Sequence, residues 1–116
     1  MAWQHLTVIL RQKQQFNNRD VMKKQTEKLA KAAFEKQLGQ YLRIQREKKK
    51  ITQQKIAKAA KFQSVQYISN IERGLCAPSY EILKIMILEY SLDPKVFFSF
   101  YVDLKKQLYR KIFLSP

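Results

Sequence analysis

The sequence predicts an all-α fold with an extended first helix and a long C-terminal helix, and three observations carry that expectation. Only two glycines and three prolines punctuate the 116 residues, so long helices joined by brief turns are the natural architecture. Strong helix formers run almost without interruption from Asp20 to Lys50, DVMKKQTEKLAKAAFEKQLGQYLRIQREKKK. The stretch Ile51 to Gly74, ITQQKIAKAAKFQSVQYISNIERG, reads as two short helices separated by a tight turn near Lys61 to Gln63.

Taking the elements in order, Met1 to Arg19 hold no acidic residue, are rich in Gln and Asn and show no sustained periodicity. Residues 1–21 are therefore expected to form a flexible tail, with Met22 as an alternative start. His5 has no second ligand grouped around it and reads as an exposed histidine. The first helix is expected to open at Asp20, whose carboxylate is a suitable N-cap. Leu29, Ala33, Phe34, Leu38, Tyr41 and Leu42 keep apolar groups on one drifting stripe. Between Met22 and Lys50 there are ten Lys and Arg against three Glu, a basic face that either lies along phosphates or is simply solvated. Lys48, Lys49 and Lys50 close the helix, where cations meet the negative end of its dipole.

Thr52 is the expected N-cap of the next helix, with Ile56, Ala57 and Ala60 pointing inward. Gln53 sits where donors at a helix N-terminus reach a phosphate oxygen, and Lys55, Lys58 and Lys61 add positive charge beside it. The following helix starts at about Ser64 and stops at Gly74. At about 100° per residue, Ile68, Ile71, Leu75 and Val65 fall toward an inner side, and Gln66, Asn70 and Arg73 fall opposite, with Ser69 and Tyr67 on the flanks. That outer face is rich in amides and nearly free of Lys and Glu. Asn and Gln can bond the N6 and N7 edge of adenine in bidentate fashion, whereas lysines grip phosphate without reading sequence. The alternative is an ordinary surface face that happens to use amides.

The run Gln66-Tyr67-Ile68-Ser69-Asn70-Ile71-Glu72-Arg73-Gly74, followed by Pro78-Ser79 and preceded by the small Ala57, resembles the helix-turn-helix domain of the phage Cro and CI repressor type, the XRE family. The resemblance covers roughly Phe34 to Leu92. It implies a five-helix, repressor-like domain that binds operator DNA, usually as a dimer. It assigns Gln53 to phosphate contact and Gln66, Tyr67 and Asn70 to the base-facing side, and it implies an internal ion pair between Arg46 and Glu72. On residue chemistry we add Ser69 to the base-facing set and Lys55, Lys58, Lys61 and Arg73 to the phosphate set. Two departures stand out: the turn position usually held by Gly is Lys61 or Phe62 here, and the motif is one residue longer than its commonest form.

Ser79 is expected to cap a fourth helix, with Glu81 in its first turn. Leu83, Met86, Ile87 and Tyr90 share one face of it, while Ile85 and Leu88 lie on the other, which calls for a second partner. Asp93 and Pro94 then open the C-terminal helix. Two apolar seams run side by side along it: Phe97, Tyr101, Leu104, Leu108 and Ile112, and beside them Phe98, Val102, Tyr109 and Phe113. So wide a stripe predicts one intramolecular seam and one that joins two subunits, with the first seam as the candidate dimer interface; which of the two it is stays open, and the alternative is a helix wholly folded onto its own domain. The expected organisation is a tail over 1–21, a helix-turn-helix domain with its helical extension over 22–92, and a dimerising helix over 93–116.

With 23 Lys and Arg against 9 Asp and Glu the formal charge is +14, which makes a polyanion the expected partner and double-stranded DNA the leading one. The single cysteine, Cys76, rules out an intramolecular disulfide and a cysteine-rich zinc site and fits a reducing cytosol. One His, one Cys and scattered carboxylates offer no nucleophile and base pair, no metal cluster and no glycine-rich phosphate loop. The expectation is a cytoplasmic, nucleoid-associated, homodimeric regulator without enzymatic activity, metal, cofactor, small-molecule ligand or membrane association. The alternative is a helical interaction module, an antitoxin or adaptor, in which DNA binding is auxiliary.

Overall fold

The computed structural model describes the backbone of residues 2–61 and 64–114, and within that range the side chains from Arg19 onward. It contains five helices: α1 (Ala2–Lys48), α2 (Gln53–Ala59), α3 (Val65–Glu72), α4 (Tyr80–Glu89) and α5 (Pro94–Phe113). The first departure from expectation is at the start. Asp20 does not cap a helix but lies within one, and the residues read as a tail continue α1 back to Ala2. No Gly or Pro occurs before Gly39, and the Gln, Lys, Arg and Leu content favours helix, so nothing in the backbone chemistry stops it.

The other helix starts follow their caps. Ser or Thr hydroxyls at Thr52, Ser64 and Ser79 accept the backbone N–H of Lys55, Tyr67 and Ile82, and the Asp93 carboxylate accepts that of Lys95 with Pro94 in the first turn. The helix ends are less conventional. α1, α2, α3 and α4 are each followed by a residue of positive φ, in turn Lys50 (57°), Lys61 (60°), Gly74 (75°) and Ser91 (51°). After α1, α3 and α4 the next amide bonds five residues back, Ile51 to Arg46, Leu75 to Asn70 and Leu92 to Ile87, which satisfies the last free carbonyls. Of the two residues considered for the turn between α2 and α3, Lys61 takes the left-handed conformation; Phe62 lies outside the described residues, as does Gln63.

The core is one cluster. Phe34, Leu38 and Leu42 of α1 meet Ile56 and Ala57 of α2, Ile68 and Ile71 of α3, and Ile82, Leu83, Met86 and Tyr90 of α4. α5 lies along α1 and buries Phe97, Leu104 and Leu108. Aromatic contacts dominate that seam: Tyr41 stacks on Phe100 with centroids 4.0 Å apart, Phe34 meets Tyr101 edge-on at 5.9 Å, and Lys105 Nζ sits 4.6 Å above the Phe34 ring. This corrects the assignment of the C-terminal seams. Phe97, Tyr101, Leu104, Leu108 and Ile112 all belong to or pack against the core of their own chain, which makes theirs the intramolecular seam. The parallel seam is the open one, with Phe98 at 66%, Tyr109 at 50% and Phe113 at 74% exposure. Two further expectations change: Leu29 is exposed and Ala30 takes its place inside, and α5 packs on α1 while Leu88 on the far side of α4 stays open to solvent.

Candidate nucleic-acid interface

α3 is held from within and bare outside. Ile68 and Ile71 are fully buried, and Glu72, the one buried charged residue among those described, anchors the helix end. Its carboxylate takes two hydrogen bonds from Arg46, Nε to Oε1 at 2.5 Å and a terminal guanidinium nitrogen to Oε2 at 3.1 Å. The remaining guanidinium nitrogen donates to the Ile51 carbonyl at 2.7 Å. The Glu72 hydrogen bond raises the Arg46 pKa above its ordinary value against the opposing effect of burial. This fork joins the end of α1, the start of α2 and the end of α3 through one charge pair.

Gln53 enters the same network: its side-chain amide donates to Glu72 Oε2 at 2.8 Å. The assigned phosphate ligand therefore carries a structural hydrogen bond, which leaves its carbonyl oxygen and one amide hydrogen for anything else. Lys55, Lys58 and Lys61 are exposed on and just after α2, with Lys61 turned by its positive φ.

On the outer face of α3 the side chains Gln66, Asn70 and Arg73 are linked. Gln66 Nε2 donates to Asn70 Oδ1 at 2.9 Å, and Arg73 donates to the same oxygen at 2.7 Å. The Asn70 carbonyl thus has both lone pairs occupied, while its two amide hydrogens and the Gln66 carbonyl have no hydrogen-bond partner among the described residues. Gln66 and Arg73 are exposed, Asn70 and Ser69 half-buried. Tyr67 departs from its assignment. Its ring packs against the core and its hydroxyl accepts the backbone N–H of Ser79 at 3.3 Å, so it braces the loop before α4 instead of facing outward. Val65 departs in the other direction. Placed inside by helical spacing, it is 42% exposed because it occupies the first turn, beyond the reach of the core. An exposed valine beside exposed amides is the kind of apolar group that can meet a thymine methyl.

Cys76, partly buried in the loop after α3, has a thiol pushed up by burial and then by the neighbouring Glu35 carboxylate, which makes it a poor nucleophile. Among the described residues no group of three or more His, Cys, Asp or Glu is arranged to hold a metal ion, and no helix is long and apolar enough to cross a membrane.

Residues 42–97, from the end of α1 to the start of α5, match the family model described as Helix-turn-helix. Neither the curated proteins nor the solved structures contain a match to the chain.

Proposed function

We propose that residues 42–97, which match the helix-turn-helix model, are a DNA-binding domain of the Cro and CI repressor type, the XRE family, and that the chain is a sequence-specific transcriptional regulator. The observation that carries this reading is the outer face of α3: Gln66, Ser69, Asn70 and Arg73 lie outside the core cluster, while Lys55, Lys58 and Lys61 are exposed on and just after α2. With α3 in a major groove, Gln66 and Asn70 read base edges, Val65 meets a methyl group, and the lysines fix the register on phosphates. For Asn70 to accept from adenine N6 it must release Gln66 or Arg73, an exchange of one hydrogen bond for another. Gln53 reaches a phosphate while still bonded to Glu72, which couples backbone contact to the orientation of α3. The protein acts inside the cell, at the nucleoid.

Two subunits meet through the open seam of α5, Phe98, Tyr109 and Phe113, continued across a cleft by Met22 and Leu29 of α1. They present two copies of α3 about 34 Å apart, one helical turn of DNA, to a pseudo-palindromic operator. Selection of bound duplexes from a randomised pool tests this: enrichment of a two-fold site supports it, and a pool left unenriched contradicts it.

The same open seam favours a second reading, in which α5 holds a different protein as an antitoxin or adaptor does. A salt-insensitive complex with a co-purifying protein and no selective DNA retention would decide for it.

A further inference from the structure

α1 runs back to Ala2 from Lys36, whose backbone lies against Gly74 of the matched domain, and its side chains are described from Arg19. Where this extension passes the end of α3 it opens a cleft lined by Lys24, Lys28, Lys31, Glu27, Glu35 and the loop residue Leu75. The juxtaposition is fixed by the backbone. Lys36 Cα lies so close to Gly74 that a Cβ there would stand 2.5 Å from it, so α1 cannot swing away from the loop without breaking that contact. Lys24, Lys28 and Lys31 follow one another at helical spacing on a single stripe, and all three are exposed.

A stripe that serves only solubility would be expected to neutralise itself where it can. Glu27 lies four residues before Lys31, and Lys31 four before Glu35, yet neither pair closes: ion pairs among the described residues are confined to Arg43, Arg46, Glu47 and Glu72. The three lysines line the cleft beside Gly74 and Leu75, the residues that follow α3. From Lys24 to Lys31 the helix rises about 10 Å, a length over which duplex DNA carries about six phosphate charges.

We infer that Lys24, Lys28 and Lys31 form a second DNA-backbone contact, an arm that extends the footprint of each subunit outward from its half-site. This rests on the DNA-binding reading above. The arm adds affinity without reading sequence, so it acts on every duplex alike.

The test uses the full chain, a 40-base-pair duplex selected by the wild-type protein and a random duplex of the same length. The triple variant Lys24→Gln, Lys28→Gln, Lys31→Gln is compared with a control that removes equal charge from α5, Lys95→Gln, Lys106→Gln, Lys111→Gln. The arm variant is expected to weaken both duplexes by the same factor, at least tenfold at 0.1 M salt. It should lower the slope of log affinity against log salt by up to about 3 and lose backbone protections at the outer edges of the footprint, with helix content unchanged. An unchanged slope, or an equal fall in the α5 control, overturns the arm. If the wild-type protein prefers neither duplex, the reading of α3 itself has failed, a result distinguishable from loss of the arm alone.

Discussion

Gly39, in the middle of α1, lies directly against the carbonyl oxygen of Ile71 at the end of α3: a Cβ on Gly39 would stand 2.2 Å from it. The chain's other glycine, Gly74, faces Lys36 across the same junction. Both glycines therefore let the end of α3 lie flush against α1, and Gly74 also takes the positive φ of the turn. Replacing Gly39 by Ala forces backbone apart from backbone, and we expect a loss of about 1 to 3 kcal/mol despite the better helix propensity of Ala, measured by denaturant unfolding. An unchanged or raised midpoint would mean that α3 does not sit this close.

The Arg46–Glu72 fork predicts an asymmetry. Arg46→Ala leaves a buried carboxylate with only Gln53 to bond, and should cost about 3 to 5 kcal/mol. Removing both charges, as Arg46→Met with Glu72→Leu, should recover much of that loss. Equal instability of the single and double variants, compared by thermal unfolding, would place the cost elsewhere.

Tyr90 is fully buried and its hydroxyl has no hydrogen-bond partner among the described residues. Tyr90→Phe is expected to hold or raise stability by about 1 kcal/mol, since an unsatisfied hydroxyl is removed at nearly constant shape. Burial, reinforced by Glu72, also pushes the Tyr90 pKa well above its ordinary value. The neutral form is thus favoured in the folded state. Its contribution is complete below the unfolded value of about 10 and is lost as pH rises above it. Tyr41, also raised by burial, acts in the same direction. Alkaline unfolding should therefore start at higher pH in Tyr90→Phe than in the wild type.

The two seams of α5 predict different failures. Leu104→Ala opens a cavity against α1 and should cost about 2 to 5 kcal/mol. Phe98→Ser with Phe113→Ser alters only exposed positions and should leave the unfolding midpoint of the monomer nearly unchanged while sedimentation shifts from dimer to monomer. A wild-type chain that sediments as a monomer at working concentrations would remove the dimer from the account.

Much of this arrangement can be read from residues alone because it is local. Thr52, Ser79 and Asp93-Pro94 announce helix starts by their own chemistry, and the spacing of Ile68 and Ile71 gives the inner side of α3. What escapes such reading depends on contacts distant in sequence. Two adjacent seams on α5 have the same period, and only the aromatic Phe34 and Tyr41 on α1 decide which is covered. Tyr67 looks outward until Ser79 supplies an N–H for its hydroxyl, and Gln53 looks free until Glu72 comes within 2.8 Å. Lys50 and Ser91 adopt positive φ where no Gly signals it, because the hydrogen bonds of the helix ends outweigh a strain of about 1 kcal/mol.

Base-resolved selection with the wild-type protein, Asn70→Ala, Gln66→Ala and Lys58→Gln tests whether the outer amides of α3 read base pairs. Direct readout predicts that each amide variant loses preference at particular base pairs, by about 1 to 3 kcal/mol, while Lys58→Gln binds all sequences more weakly and keeps the wild-type preferences. Amide variants that lose affinity equally for every sequence would contradict it.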